Sequence, residues 1–206
     1  MPKDEGTGRI EAFSDGVMAI AITLLVLEIK VPSHAEVAQQ GLAHSLAALW
    51  PSYLAFITSF ISILVIWVKH HWMVSLIKRT DHPFLYWNGL LLLFISFVPF
   101  PTGLLAEYLL QPEGKVAASL YTGTILAVSL AFNGLWSHAT KDGRLLAEYP
   151  SEAATAEVKQ ITQQNRYGPP LYLLAFGLSF LSEGLSISVC LFVPLLFSFR
   201  DWLAGD

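Results

Sequence analysis

The chain has 206 residues, of which 54% are hydrophobic and 14% charged, with a mean hydropathy of +0.53. Soluble domains carry about 45–50% apolar and about 25% charged residues, so this composition excludes an ordinary soluble domain and places the chain in a bilayer. The formal net charge of −4 says little until it is mapped onto the loops. Cys190 is the single cysteine, which excludes an intrachain disulfide and reads as a small buried hydrophobe.

A spanning helix needs roughly 20 largely apolar residues. Met1–Gly8 is polar and lacks the apolar core of a secretory leader. Phe13–Ile29 is the first candidate span, and the first helix is expected over about 9–31. Pro32–Ser45 reads as a short polar loop. The second span, Leu49–Val68, starts near Leu46 or Trp50 with Pro51 tolerated in its first turn. It continues through His70, His71 and Trp72 toward Lys78, and "TDHPF" at Thr80–Phe84 ends it and opens the next helix.

The third span, Phe84–Leu105, contains Pro99 and Pro101, which predict a kink or an early end. "QPEGK" at Gln111–Lys115 is a turn, and Val116–Leu135 is the fourth span. Residues 140–168 form the longest polar connection. Within it, Ser151–Arg166 is rich in helix formers after a capping serine, and Gly168, Pro169 and Pro170 predict a break. Leu171–Leu181 and Leu185–Phe199 give a shorter fifth and sixth pair, with helix 5 either beginning inside "QQNRYGPP" or one of the two being short or tilted. The expected architecture is all-α: a single six-span polytopic membrane unit over residues 1–206.

Charge orients the spans. Ten of the twelve basic residues, including Arg9, Lys69, Lys78, Arg79, Lys141 and Arg166, fall before span 1 or after spans 2, 4 and 6. Only Lys30 and Lys115 fall on the other side, together with Glu28, Glu36, Glu107, Glu113 and Glu183. The positive-inside rule then puts both termini in the cytoplasm.

On a helical wheel at about 100° per residue, Ile20, Leu24 and Leu27 make one stripe, flanked by Thr23 and running down to Gly16. Ala19, Ile22, Val26 and Ile29 point the opposite way, toward lipid or other helices. Any apolar helix contains such stripes, so the polar lip is more informative. Arg9 and Asp15 stand about 240° apart and cannot pair within the helix, while Glu11 and Asp15 are like-charged i, i+4 neighbours. Each needs partners elsewhere, and His70, His71, Trp72 and Asn88 lie at the same level. Ionisable groups at a span commonly face a bundle interior or an aqueous cavity.

The run Arg9-x-x-x-Phe13-Ser14-Asp15, followed by "GVMAIAITLLVLEIKVP", resembles the transmembrane protein 175 potassium-channel family in its single-repeat bacterial form. The resemblance implies a multi-pass protein of the bacterial inner membrane. It further implies a homotetramer, held in membrane lipid and passing monovalent cations, with no cofactor beyond permeant potassium and no re-entrant filter loop. No T-V-G-Y-G run occurs here. The first helices would line a central pore, with Ile20 as the hydrophobic constriction, Leu24 and Leu27 as further apolar rings, and Thr23 favouring potassium. Arg9, Phe13, Ser14 and Asp15 would form a network on the cytoplasmic side, to which His71, Trp72 and Asn88 are assigned. Glu28 at the outer mouth would concentrate cations. Asp15 could do the same at the inner mouth, but a structural role in that network is favoured.

Other classes fit less well. Ser14 lacks a glycine-serine elbow and a matching base for nucleophilic chemistry, so an enzyme is not expected. His70 and His71 diverge and the remaining histidines are scattered, which argues against a metal centre. No phosphate-binding glycine loop or nucleic-acid patch is present. A secondary transporter would want inverted repeats and broken helices at the midplane, for which only the span 3 prolines speak. A non-conducting membrane scaffold is the third alternative.

Overall fold

The computed structural model describes residues 5–143, 145–146 and 152–204. Helices dominate in chain order. They are α1 (Glu5–Leu24) with a 3₁₀ extension at Leu25–Glu28, α2 (His34–Gln40), α3 (Leu42–Ala48), α4 (Trp50–Leu76), α5 (His82–Phe97), α6 (Pro99–Tyr108), α7 (Gly114–Thr140), α8 (Glu152–Ser179) and α9 (Glu183–Ala204). Among the described residues the one β-type pairing is an isolated bridge, Ile77 with Leu146. Among the described residues, four helical stretches are long and apolar enough to cross a membrane: Thr7–Glu28, Trp50–Leu76, His82–Tyr108 and Gly114–Thr140.

Local sequence explains the boundaries. Asp81 caps α5 by accepting a hydrogen bond from Phe84 N at 2.9 Å, which is how "TDHPF" stops one helix and starts another. Pro99 and Pro101 divide the third span at Val98 into α5 and α6, as their missing donors require. The segment after span 1 is more ordered than a polar loop. Ser33 and Glu36 form a reciprocal capping box that starts α2, and Gly41 at φ 80° turns the chain into α3. That positive φ is costly for any residue with a Cβ.

The break expected at Gly168–Pro170 does not occur. α8 runs unbroken from Glu152 to Ser179 with Pro169 and Pro170 inside it, about 42 Å at 1.5 Å per residue. Two missing N–H donors weaken the ladder, but the helix is tied to α7 on both sides of the prolines. Trp136 Nε1 donates to Thr162 Oγ1 at 2.9 Å, and Ser119 and Ser179 share a hydroxyl bond at 2.8 Å. Neighbouring helices commonly rescue prolines in this way. The described second half of the expected 140–168 connection, from Glu152 on, is therefore packed helix, with Ile161 in the core. Ser151, the expected cap, lies outside the described residues.

α7 is the hub, packing against α5, α6, α8 and α9. Small residues on it allow close approach: the Trp87 ring of α5 lies directly over Gly134. Hydroxyl bonds between helices add to the packing, Ser59 to Thr102 at 2.7 Å and Ser59 to Tyr121 at 3.1 Å. α1 stands apart, packing chiefly on α4 and α5. Its span window is 22% buried against 39–50% for the other three, so most of its surface is left unmatched within one protomer.

Candidate functional site

The exposed side of α1 is the stripe that carries Ile20. Phe13, Ile20, Leu24 and Leu27 are 66%, 60%, 42% and 71% exposed, whereas Ser14, Met18, Ala21 and Leu25 are buried. The buried set follows an i, i+4, i+7, i+11 spacing, so a single arc meets the protein. Ala19 and Val26 are also exposed and Ile22 is half-buried, which makes the free surface broader than the stripe. Thr23 is exposed, and its hydroxyl donates to Ile20 O at 2.8 Å. With its proton turned back into the helix, the hydroxyl oxygen keeps both lone pairs free to accept.

Below the stripe, three helices are tied by polar side chains. His70 Nε2 donates to Asn88 Oδ1 at 2.9 Å, and Asn88 Nδ2 donates to Ser14 Oγ at 3.0 Å. All three residues are buried, so α4, α5 and α1 are joined by one relay that fixes the imidazole with its proton on Nε2. Beside it, Trp67 Nε1 donates to Asp15 Oδ1 at 2.9 Å. His71 Nδ1 meets Glu11 Oε1 at 3.1 Å, and the Trp67 and His71 rings stack with centroids 6.2 Å apart. The like-charged neighbours Glu11 and Asp15 are thus separated onto different partners.

The sequence assignment of this network needs correction at two places. Trp72 is 43% exposed and makes no side-chain hydrogen bond among the described residues; the tryptophan that holds Asp15 is Trp67. The histidine that holds Asn88 is His70, while His71 serves Glu11. Helical spacing carried this information. Residues 67, 70 and 71 share one face at i, i+3 and i+4, whereas 72 has rotated off it. Phe13 points outward and is not part of the buried relay. Arg9 is exposed beside Phe13, Thr80 and Asn88 in an open cleft of about 510 Å³, with no hydrogen bond or ion pair among the described residues.

Glu28, expected at an outer mouth, packs toward α6. It is half-buried, its carboxylate lies against Gly103 of α6, and it lines a cavity of about 490 Å³ with Lys30, Glu36 and Glu107. The 3₁₀ extension turns it off the Ile20–Leu27 line and toward α6. Lys30 is ion-paired with Glu107 in the same cavity. Among the described residues, no three His, Cys, Asp or Glu side chains converge as metal ligands.

The network and stripe lie in the segment with the clearest kinship. Residues 9–99 match the family described as "Endosomal/lysosomal potassium channel TMEM175". A potassium channel of Chamaesiphon minutus is 60% identical over 200 residues, covering 97% of this chain and 97% of that protein. The chain belongs to the TMEM175 family. A second TMEM175 relative, a potassium channel of Streptomyces collinus, is 41% identical over 95% of this chain and 93% of its own length. The crystal structure of a lysosomal potassium-selective channel TMEM175 homolog from Chamaesiphon minutus superposes with a TM-score of 0.87 at 58% identity, covering 96% of this chain and 98% of that one. Every residue of the α1–α4–α5 network falls inside the matched segment.

Proposed function

We propose that this TMEM175-family chain is one subunit of a homotetrameric, potassium-preferring cation channel in the bacterial inner membrane. In this reading it has six spans and cytoplasmic termini, with the apolar halves of α8 and α9 completing the set. The observation that carries the reading is the exposed line Phe13–Gly16–Ile20–Leu24–Leu27 on a helix whose other side is firmly docked. Four such helices about an axis would bury those faces against one another and a narrow water column. The open cleft beside Arg9 would then be closed by the adjoining protomer, giving that guanidinium a partner. The potassium channels among the relatives support the ion.

Four Ile20 side chains converging on the axis form an apolar ring that empties of water when narrow. Rotating or splaying α1 widens the ring and admits hydrated cations. Four Thr23 oxygens, nearly one turn outward, replace part of an ion's water shell. Without a cage of backbone carbonyls this selection is modest. The His70–Asn88–Ser14 relay holds α1 at a fixed rotation, so the ring radius is set by buried polar geometry rather than by lipid.

Ile20→Asn is expected to raise single-channel conductance in planar bilayers, because a polar ring stays wet. Unchanged current in a correctly assembled variant would remove α1 from the conduction path.

A further inference from the structure

Along the N-terminal half of α7, a long groove lies open between α5 and α8. Val116, Ser119, Gly123 and Ala127 run along its floor, Phe94 and Phe97 of α5 form one wall, and Phe176 of α8 forms the other. An added Cβ at Gly123 would come within 3.3 Å of the Phe176 ring, so the missing side chain keeps the floor low where that wall leans in. From Val116 to Ala127 the floor is about 16 Å long at 1.5 Å per residue. That is roughly half of a 30 Å hydrocarbon core, the depth of one leaflet.

The groove holds about 480 Å³, which over that length leaves a cross-section of about 30 Å². That girth suits a single extended hydrocarbon chain, whereas a helix about 10 Å across would stand mostly outside it. The hydroxyls of the floor are already satisfied. Ser119 Oγ meets Lys115 O at 2.7 Å and Ser179 Oγ at 2.8 Å, and Thr124 Oγ1 donates to Leu120 O at 2.8 Å. The floor therefore calls for neither water nor a polar ligand. Charge stands at one end only, since the lining itself holds no charged side chain. Lys115 precedes the floor at the start of α7, is exposed, and its ammonium makes no hydrogen bond or ion pair among the described residues. The start of α7 adds the positive end of its dipole there, against the acid of the N-cap, Glu113.

From these features we propose that the groove seats one acyl chain of a phospholipid from the leaflet around the start of α7, with the headgroup phosphate held at Lys115. In the topology proposed above this is the outer leaflet. A lysine at the membrane surface reaches the phosphate level readily, with its stem along the apolar groove. The lining includes no residue of α1 or of the relay, so the site stands independently of the conduction reading.

The test uses the purified full-length protein in detergent and requires no ion flux. Phosphatidylglycerol carrying a diazirine in one acyl chain is photolysed on it, with a diazirine-bearing diacylglycerol as the phosphate-free control, and labelled peptides are mapped by mass spectrometry. Labelling concentrated on 116–127 and around Phe176 is expected. Half-saturation should weaken about tenfold in Ala127→Phe, which plugs the inner end of the groove. Lys115→Gln should weaken the phosphatidylglycerol probe and leave the diacylglycerol probe unchanged. Labelling spread evenly over other exposed span positions, such as Ile57, Leu64 and Leu196, would show annular lipid only and overturn the site. Unchanged labelling in the folded variants, or cross-links tying the groove to a second copy of the chain, would overturn it too. If Ala127→Phe does not fold, the labelling map of the unsubstituted protein and the Lys115→Gln comparison decide.

Discussion

Trp67 and Asp15, 52 positions apart in sequence, meet at 2.9 Å between the indole Nε1 and one carboxylate oxygen. This bond, with the relay beside it, holds one side of α1 against α4 and α5 and leaves the side with Ile20 exposed. Trp67→Phe keeps an aromatic ring, smaller than the indole, and deletes the donor. Since hydrogen bonds to charged groups contribute about 1.5–3 kcal/mol, the variant should unfold or dissociate more easily by roughly that amount. Asp15→Asn retains an accepting oxygen and should cost less. Thermal unfolding of the solubilised protein with size-exclusion chromatography checks the order; an Asp15→Asn defect equal to or larger than that of Trp67→Phe would contradict it.

Asn88 bridges two buried partners, so Asn88→Leu orphans both Ser14 and His70, at about 1–3 kcal/mol each. Ser14→Ala leaves only one Asn88 amide proton unmatched. Asn88→Leu should therefore be clearly the more damaging in a paired comparison of the yield of folded protein and its melting temperature. Comparable yields for the two variants would show that the relay does not act as a unit.

Thr23 offers an oxygen with its proton already committed to Ile20 O. Thr23→Val has nearly the same shape but no oxygen, and Thr23→Ser keeps the oxygen without the methyl group. Reversal potentials under bi-ionic potassium and sodium should show lost preference in the first and retained preference in the second. Identical ratios in both variants and the parent would separate Thr23 from ion selection.

Gly134 and Gly103 respond differently to an added methyl. At Gly134 the obstacle is the Trp87 ring, and at Gly103 it is the end of the flexible Glu28 side chain. Gly134→Ala is overpacking against a rigid ring and should cost about 1–3 kcal/mol. Gly103→Ala should need only a rotamer change at Glu28 and leave the melting temperature nearly unchanged. A melting-temperature series on the two variants measures the contrast.

The Lys30 ammonium is raised above its ordinary value of 10.5, first by its hydrogen bond to Glu107 and then by that carboxylate's charge. Because the folded-state value is the higher one, the associated stabilisation is fully present below about pH 10.5. It disappears as pH rises through the folded value. The stability difference between the parent and Lys30→Met should accordingly be small, because the pair is exposed, and should close toward zero at strongly alkaline pH. A difference that grows with pH would contradict the pairing.

Much of this protein was decided locally. Long apolar runs dictate spanning helices because backbone groups in a bilayer must be satisfied within the segment. Asp81, Pro99 and the Ser33–Glu36 pair set helix ends through caps and missing donors that act over a few residues. The stripe Ile20–Leu24–Leu27 is likewise a consequence of helical periodicity alone. The rest depended on contacts across the fold. Adjacent His70 and His71 differ only in rotation about α4, and α1 and α5 assign one to Asn88 and the other to Glu11. α8 passes through Pro169 and Pro170 because α7 braces it from both sides, a stabilisation invisible to propensity. Glu28 turns to α6, where Gly103 makes room for its carboxylate. Periodicity, capping and hydropathy are properties of neighbours along the chain, whereas the choice among equally plausible partners is made by which helices pack together.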